Sequence, residues 1–364
     1  MPRRLSPVLG ALILLSCLLS APVAADGDLW DELLPSGEYY TLRGPAGQVL
    51  LETGRRIYLE DQYLSADNRL YEVVEVDDEA RIARAELMEE VELEVTPWQE
   101  LRRELGLTVI EAADPDQEKG AIALYHTHNA ESYVPTDGTD SIYGKGGIHQ
   151  VGAAFAEALR ERGVTVLYSE ALHLPHDRGA YRRSRETVLE LMAKEPDAIF
   201  DVHRDAAPST AYAVQLNDQW ITSIQFVVGR QNQNLGVNRK YAESLKKLAD
   251  DLYPGLVKGI FYGRGNYNQD LSPLSLLLEV GAHTNSRDAA ERGVSLFAEV
   301  VDHYFYGPSA EAAERGRAGA ARRSILGLLV FVTAAGAVFF VVNAGGFSAA
   351  LERLKGALRL RDRR

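Results

Sequence analysis

Three apolar runs in this chain end in residues that can bind a metal ion or carry a proton. Ala121-Ile122-Ala123-Leu124-Tyr125 is followed by His126-Thr127-His128-Asn129-Ala130-Glu131-Ser132, and Ala198-Ile199-Phe200-Asp201-Val202 by His203-Arg204-Asp205. In the third, Leu276-Leu277-Leu278 runs into Glu279. Six of the eight histidines lie between His126 and His203, so the imidazoles are concentrated where these runs end. The only cysteine is Cys17. Thiolate ligation and internal disulfides are therefore excluded, and a metal here must sit on imidazole and carboxylate donors. Two imidazoles and one carboxylate with a fourth position open make a catalytic zinc site, which brings the pKa of a bound water to about 7. A charged Glu279 within an apolar strand is costly to bury unless something compensates it. A metal-bound water does so, and Glu279 is then placed to take its proton and return it to a departing amine. Plainer readings exist for each residue: a strand-end histidine bonded to backbone, Glu131 as a partner of a helix start, or Glu279 paired with Arg204.

The elements that must position these groups begin at Gly120. Runs of about five apolar residues alternate with longer amphipathic stretches, Val151 to Arg162, Arg183 to Ala193, Arg239 to Leu252 and Ala289 to Phe305. This rhythm predicts an α/β fold with a sheet covered by helices on both faces, and reactive groups in such folds collect where strands end at their carboxyl edge. Ahead of it, residues 26–88 carry short alternating runs, Tyr39 to Leu42, Val49 to Glu52, Arg56 to Leu59 and Leu70 to Val74, separated by Gly44-Pro45, Gly54 and Asp67-Asn68. They predict a small antiparallel β module without a catalytic cluster. Residues 89–118 form an acidic linker, helical around Trp98 to Leu107, and residues 119–307 form the catalytic segment.

Both ends carry targeting signals. Arg3 and Arg4, an apolar run from Val8 to Leu19 and the small residues before Asp26 give residues 1–25 the layout of a signal peptide, cleaved after Ala25; lipidation at Cys17 and uncleaved retention are the alternatives. An Ala/Gly/Arg-rich stalk, 308–324, leads to an uncharged apolar run at 325–343, close to the about 20 residues that cross a bilayer. Six of the residues at 344–364 are Arg or Lys, which predicts a cytoplasmic tail and a single-pass membrane protein with its catalytic segment extracytoplasmic. With these ends set aside, residues 26–314 hold 27 bases against 50 acids, a net of −23. A charge of that sign repels polyanions and excludes nucleic acid as a partner.

The runs His126 to Tyr133, His176-Asp177, Asp201 to Ala206, Tyr267 to Pro273 and Glu279 to Asn285 together resemble the stage II sporulation protein P family, over about Gly120 to Tyr306 and in order. The stretch from Tyr58 to Val76 resembles that family's amino-terminal region. The resemblance implies a fold like that of the zinc N-acetylmuramoyl-L-alanine amidases. It also implies a peptidoglycan hydrolase that acts in septal wall remodelling and engulfment, with a lytic transglycosylase and other engulfment-complex proteins as partners. Carried over by motif, the Zn2+ ligands fall on His128, Glu131 and His203 and the catalytic base on Glu279, with His126 a rival to His128. A wall-binding scaffold of weak activity and a metallo-endopeptidase acting on peptide cross-links are the alternative functions. Arg204 and Asp205 are candidates to orient substrate or support His203, and His176 and Asp177 to shape the cleft. Asn268, Gln269 and Ser272 are candidates to bind a stem peptide, and His283 and Asn285 to donate to an oxyanion. The apolar carboxyl-terminal run departs from the amino-terminal anchor usual in the family.

Overall fold

The structure, a computed structural model, describes residues 34, 35, 37–106 and 119–307. The expected signal peptide, stalk, membrane helix and basic tail lie outside these residues, as does 107–118 of the linker. Among the described residues no helix is long and apolar enough to cross a membrane.

The strands are β1 (Tyr40–Arg43), β2 (Val49–Thr53), β3 (Gln62–Ser65), β4 (Arg69–Asp77), β5 (Ile82–Glu90), β6 (Ala121–Tyr125), β7 (Thr165–Tyr168), β8 (Ala198–Asp205), β9 (Ala213–Leu216), β10 (Gln219–Thr222), β11 (Ile224–Gly229), β12 (Val257–Gly263) and β13 (Ser275–Ala282). The helices are α1 (Trp98–Glu104), α2 (Val134–Asp137), α3 (Ile148–Arg160), α4 (Ala180–Met192), α5 (Leu235–Leu252) and α6 (Arg287–Tyr306). Eleven strands form one mixed sheet in the order β2-β1-β5-β4-β3-β12-β11-β13-β8-β6-β7, and β9 pairs with β10 separately. Strands β13, β8, β6 and β7 run parallel to one another.

Alternation along each strand divides its side chains between two faces. Ile122 and Leu124 of β6 join Phe200 and Val202 of β8 in a core sealed by α3, α5 and α6, where the Phe297 ring lies 5.4 Å from Phe226 and 6.0 Å from Phe200. Truncating a buried phenylalanine of this kind costs about 3–5 kcal/mol. Ala123 and Tyr125 point the other way and meet Val188 and Leu191 of α4. Helices therefore cover both faces, three long ones on one side and α4 on the other.

The amino-terminal strands continue this sheet instead of standing apart from it. β3 pairs antiparallel with β12, Ile260 opposite Leu64 and Tyr262 opposite Gln62. Tyr40, Leu42 and Tyr71 share a core with Val227, Phe261 and Leu277. β12 has no counterpart among the predicted strands, because Lys258, Gly259 and Gly263 break its alternation. Gly259 is required by the pairing itself: a Cβ there would lie 2.5 Å from the Leu64 carbonyl oxygen. Arg56 to Leu59, predicted as a strand, is irregular. Asp61 accepts a hydrogen bond from the Tyr58 amide at 2.8 Å and turns the chain before β3 begins.

Candidate metal centre

Because β13, β8 and β6 are neighbours, the three polar strand ends of the sequence meet at one edge. Glu279 stands opposite His203 and Asp201 opposite Tyr125 in the ladder. Asp201 fastens the loop that follows β6, accepting from the Thr127 amide at 2.8 Å and its hydroxyl at 2.6 Å. The chain then turns, which swings His128 away from His126. Glu131 is drawn back onto β8, its Oε2 accepting from the Arg204 amide at 3.0 Å.

Three imidazoles surround the other oxygen of Glu131. His203 Nδ1 is 3.4 Å from Oε1, His128 Nδ1 is 3.5 Å away and His176 Nε2 is 3.8 Å away. His128, Glu131 and His176 each offer a donor atom, all within 4.8 Å of one another. The His128 and His203 rings stand edge to face with centroids 5.0 Å apart. Behind His203, Asp201 Oδ1 lies 2.9 Å from Nε2. Burial works against a charge on His203, but the Asp201 and Glu131 carboxylates overcome it and push the imidazole up to about 10. At His128 burial outweighs the opposing pull of Glu131 and depresses the imidazole to about 3.

His126 faces elsewhere. Its Nδ1 bonds the Val202 carbonyl at 2.8 Å and its Nε2 the Tyr168 hydroxyl at 2.9 Å, so it is a bonded core residue. His128 differs in its hydrogen bonding: both of its nitrogens are buried without a hydrogen-bond partner among the described residues.

Glu279 is buried, and its cationic partner is Arg55, not Arg204. Arg55 Nε donates to Oε1 at 2.9 Å and Nη2 donates to the same oxygen. Oε2 is buried with no hydrogen-bond partner among the described residues. Burial raises Glu279 to about 7 against the opposing pull of Arg55. Arg204 instead donates through Nη2 to the Asp140 carbonyl at 2.9 Å.

Arg55, Glu131, His176, Arg204, Glu279 and His283 line a cleft of about 700 Å³; His128 and His203 are fully buried and are not among its lining residues. Other candidates from the sequence have structural partners. Asp205 accepts from Gly54 N, Thr53 Oγ1, Ala206 N and the Tyr212 hydroxyl. Asn268 and Gln269 are fully buried and tied to Tyr181 O, Gly229 N and Val227 O, which removes them from any open peptide-binding loop. Asn285 accepts from the Ala282 amide and donates to Ser209 O, closing a turn. Asp177 pairs with Arg183.

The donor set fits a divalent cation of the zinc class. Imidazole nitrogens of His128 and His176, buried without hydrogen-bond partners among the described residues and beside a carboxylate oxygen, are what a nitrogen- and oxygen-ligated ion requires. The model of the family described as Stage II sporulation protein P (SpoIIP) matches residues 58–302. The chain belongs to the stage II sporulation protein P family. Stage II sporulation protein P of Bacillus subtilis (strain 168) is 31% identical over 208 residues, 52% of this chain and 52% of that protein. The chain thus spans about half the length of this curated relative. Among solved structures, the N-acetylmuramyl-L-alanine amidase Ami1 from Mycobacterium smegmatis is similar at 15% identity and a TM-score of 0.34, over 53% of this chain and 98% of that one. The CwlD amidase from Clostridioides difficile, solved in complex with the GerS lipoprotein, is similar at 13% identity and a TM-score of 0.33, over 51% and 98%. Arg55 precedes the residues that the stage II sporulation protein P model matches.

Proposed function

We propose that this member of the stage II sporulation protein P family is a zinc-dependent peptidoglycan hydrolase that cuts the amide between the lactyl group of N-acetylmuramic acid and L-alanine. The observation that carries the reading is the convergence of His128, His203 and His176 on Glu131 Oε1, beside a buried carboxylate with one oxygen free, Glu279. In this reading His128, Glu131 and His203 hold the cation. Asp201 behind Nε2 of His203 favours the proton there and turns Nδ1 toward the site, the second support usual for a ligating histidine. His176 stands on the cleft side as a further donor. A dication bound there supplies Lewis acidity and makes water a nucleophile near neutral pH.

Glu279 takes a proton from the attacking water on Oε2 and delivers it to the amine nitrogen as the carbon–nitrogen bond breaks. Against its burial, the charges of His203 and Arg204 hold the Glu131 carboxyl well below its usual range, and the Arg204 amide fixes it in place. We place a glycan carrying a peptide in the cleft lined by Arg55, Glu131, His176 and Glu279. We place the reaction in septal wall remodelling during engulfment, with a lytic transglycosylase and other engulfment proteins as partners. We place the chain at the cell membrane, anchored through residues 325–343 with the catalytic segment outside. The test is digestion of purified peptidoglycan by the zinc-loaded full chain, with and without a chelator. Release of stem peptides with a new amino-terminal L-alanine, abolished by chelator and restored by zinc, is expected. Fragments cut within the cross-links would move the activity to an endopeptidase, and no release would leave a wall-binding scaffold.

A further inference from the structure

The residues ahead of the catalytic segment contain no histidine and no catalytic cluster, yet they deliver a side chain to the centre of the site. Arg55 follows β2, and its path is pinned at two points. Asp205 Oδ1, at the end of β8, accepts from the Gly54 amide at 2.8 Å and from Thr53 Oγ1 at 3.1 Å. Gly54 is pressed against Ala206 so closely that a Cβ would meet the Ala206 Cβ at 2.5 Å. From this corner the guanidinium passes between two aromatic rings, 5.3 Å from the centroid of Tyr267 and with Nη1 donating to the Tyr181 hydroxyl at 3.4 Å. Tyr181 itself lies edge-on to His128, centroids 5.1 Å apart, and stacks on His203 at 6.2 Å. One aromatic wall thus packs on two of the proposed metal ligands and orients the arginine.

We propose that Arg55 is a positioning residue for the hydrolytic base. Its two nitrogens converge on one oxygen of Glu279 and leave the other, Oε2, as the free proton acceptor. A bidentate pair would engage both carboxylate oxygens. Here one oxygen is orphaned and both residues line the cleft. A carboxylate fixed through a single oxygen keeps one rotamer, and misplacing a catalytic group by about 1 Å costs on the order of 100-fold in rate. Lysine is a poor substitute, because a point charge does not reproduce two directed donors on one acceptor. The strands before residue 91 are accordingly part of the catalytic apparatus, and residues 119–307 alone lack the group that aims Glu279.

This inference rests on the hydrolase reading. The experiment compares wild type, Arg55→Gln and Arg55→Lys as full chains loaded with zinc, measuring kcat and KM for stem-peptide release together with bound zinc. Arg55→Gln is expected to lose about 100-fold in kcat while KM stays within about twofold and zinc content is unchanged; Arg55→Lys recovers about a tenth of wild-type kcat. Wild-type kcat in either variant, or a loss that falls on KM or on zinc content instead, overturns the positioning role while leaving the hydrolase reading intact. A zinc-loaded wild type without turnover overturns both. Should Arg55→Gln fail to fold, the kcat of Arg55→Lys decides alone, since wild-type turnover there contradicts a need for two directed donors.

Discussion

Asp205 holds the corner that carries Arg55, and its removal should be felt in stability and in turnover together. Four donors end on this buried carboxylate: Gly54 N at 2.8 Å, Thr53 Oγ1 at 3.1 Å, Ala206 N at 2.7 Å and the Tyr212 hydroxyl at 2.8 Å. Asp205→Ala leaves all four without an acceptor. At the low end of the cost of an orphaned buried donor, about 1 kcal/mol each, the sum is about 4 kcal/mol. For a unit of this size 1 kcal/mol moves the melting temperature by about 2–4 °C, so a fall of about 8–16 °C is expected. Asp205→Asn keeps one oxygen for the two amides and the Thr53 hydroxyl, and its new NH2 group turns Tyr212 from donor to acceptor. That variant should lose only about 1 kcal/mol, or about 2–4 °C. The assay is thermal unfolding followed by circular dichroism, with kcat measured well below the transition. Because the Gly54 amide is released, Asp205→Ala should also lose about tenfold or more in kcat through Arg55. An alanine variant that melts within about 2 °C of wild type would refute the reasoning, since it would mean that the four hydrogen bonds add nothing over water.

Glu279→Gln should keep its zinc and lose about 100- to 10,000-fold in kcat, as measured by stem-peptide release and metal analysis; retained turnover removes Glu279 from the mechanism. His128→Ala should weaken zinc binding in a metal titration. His126→Ala, whose two nitrogens are bonded to Val202 O and Tyr168 Oη, should instead lower thermal stability with zinc affinity unchanged, and the opposite pattern would exchange their roles. Burial raises Glu279 to about 7, and a base acts only when deprotonated. Turnover should therefore fall as pH drops through the Glu279 value, which a neighbouring cation sets below about 7, and a kcat unchanged down to about pH 4 would contradict this.

The parts of the site carried on strand ends were legible in the sequence because an apolar run followed by polar residues marks where a buried strand opens into a cleft. Parallel neighbours then did the rest, bringing Glu131, His203 and Glu279 to one edge. His176 was visible only as a loop histidine after Pro175, since a loop has no periodicity to say which way it folds; the structure sets it 3.8 Å from Glu131. Arg55 was not legible at all. Its contact with Glu279 spans a separation of 224 residues, and hydropathy does not show that β3 joins β12 and thereby brings the preceding corner to the site. Arg204 was the natural partner on paper because it adjoins His203, but β-strand alternation turns its guanidinium toward the Ser132 and Asp140 carbonyls instead. Asn268 and Gln269 read as open loop chemistry for the same reason that polar residues usually do, yet both are spent on backbone groups that would otherwise be buried unpaired.

The most direct test is anomalous diffraction at the zinc absorption edge from crystals of the metal-loaded full chain. One peak is expected beside Glu131, within about 2.0–2.2 Å of its carboxylate and of the His128 and His203 nitrogens. A peak bound elsewhere, or no peak with His128 and His203 engaged only by protein groups, would contradict the account.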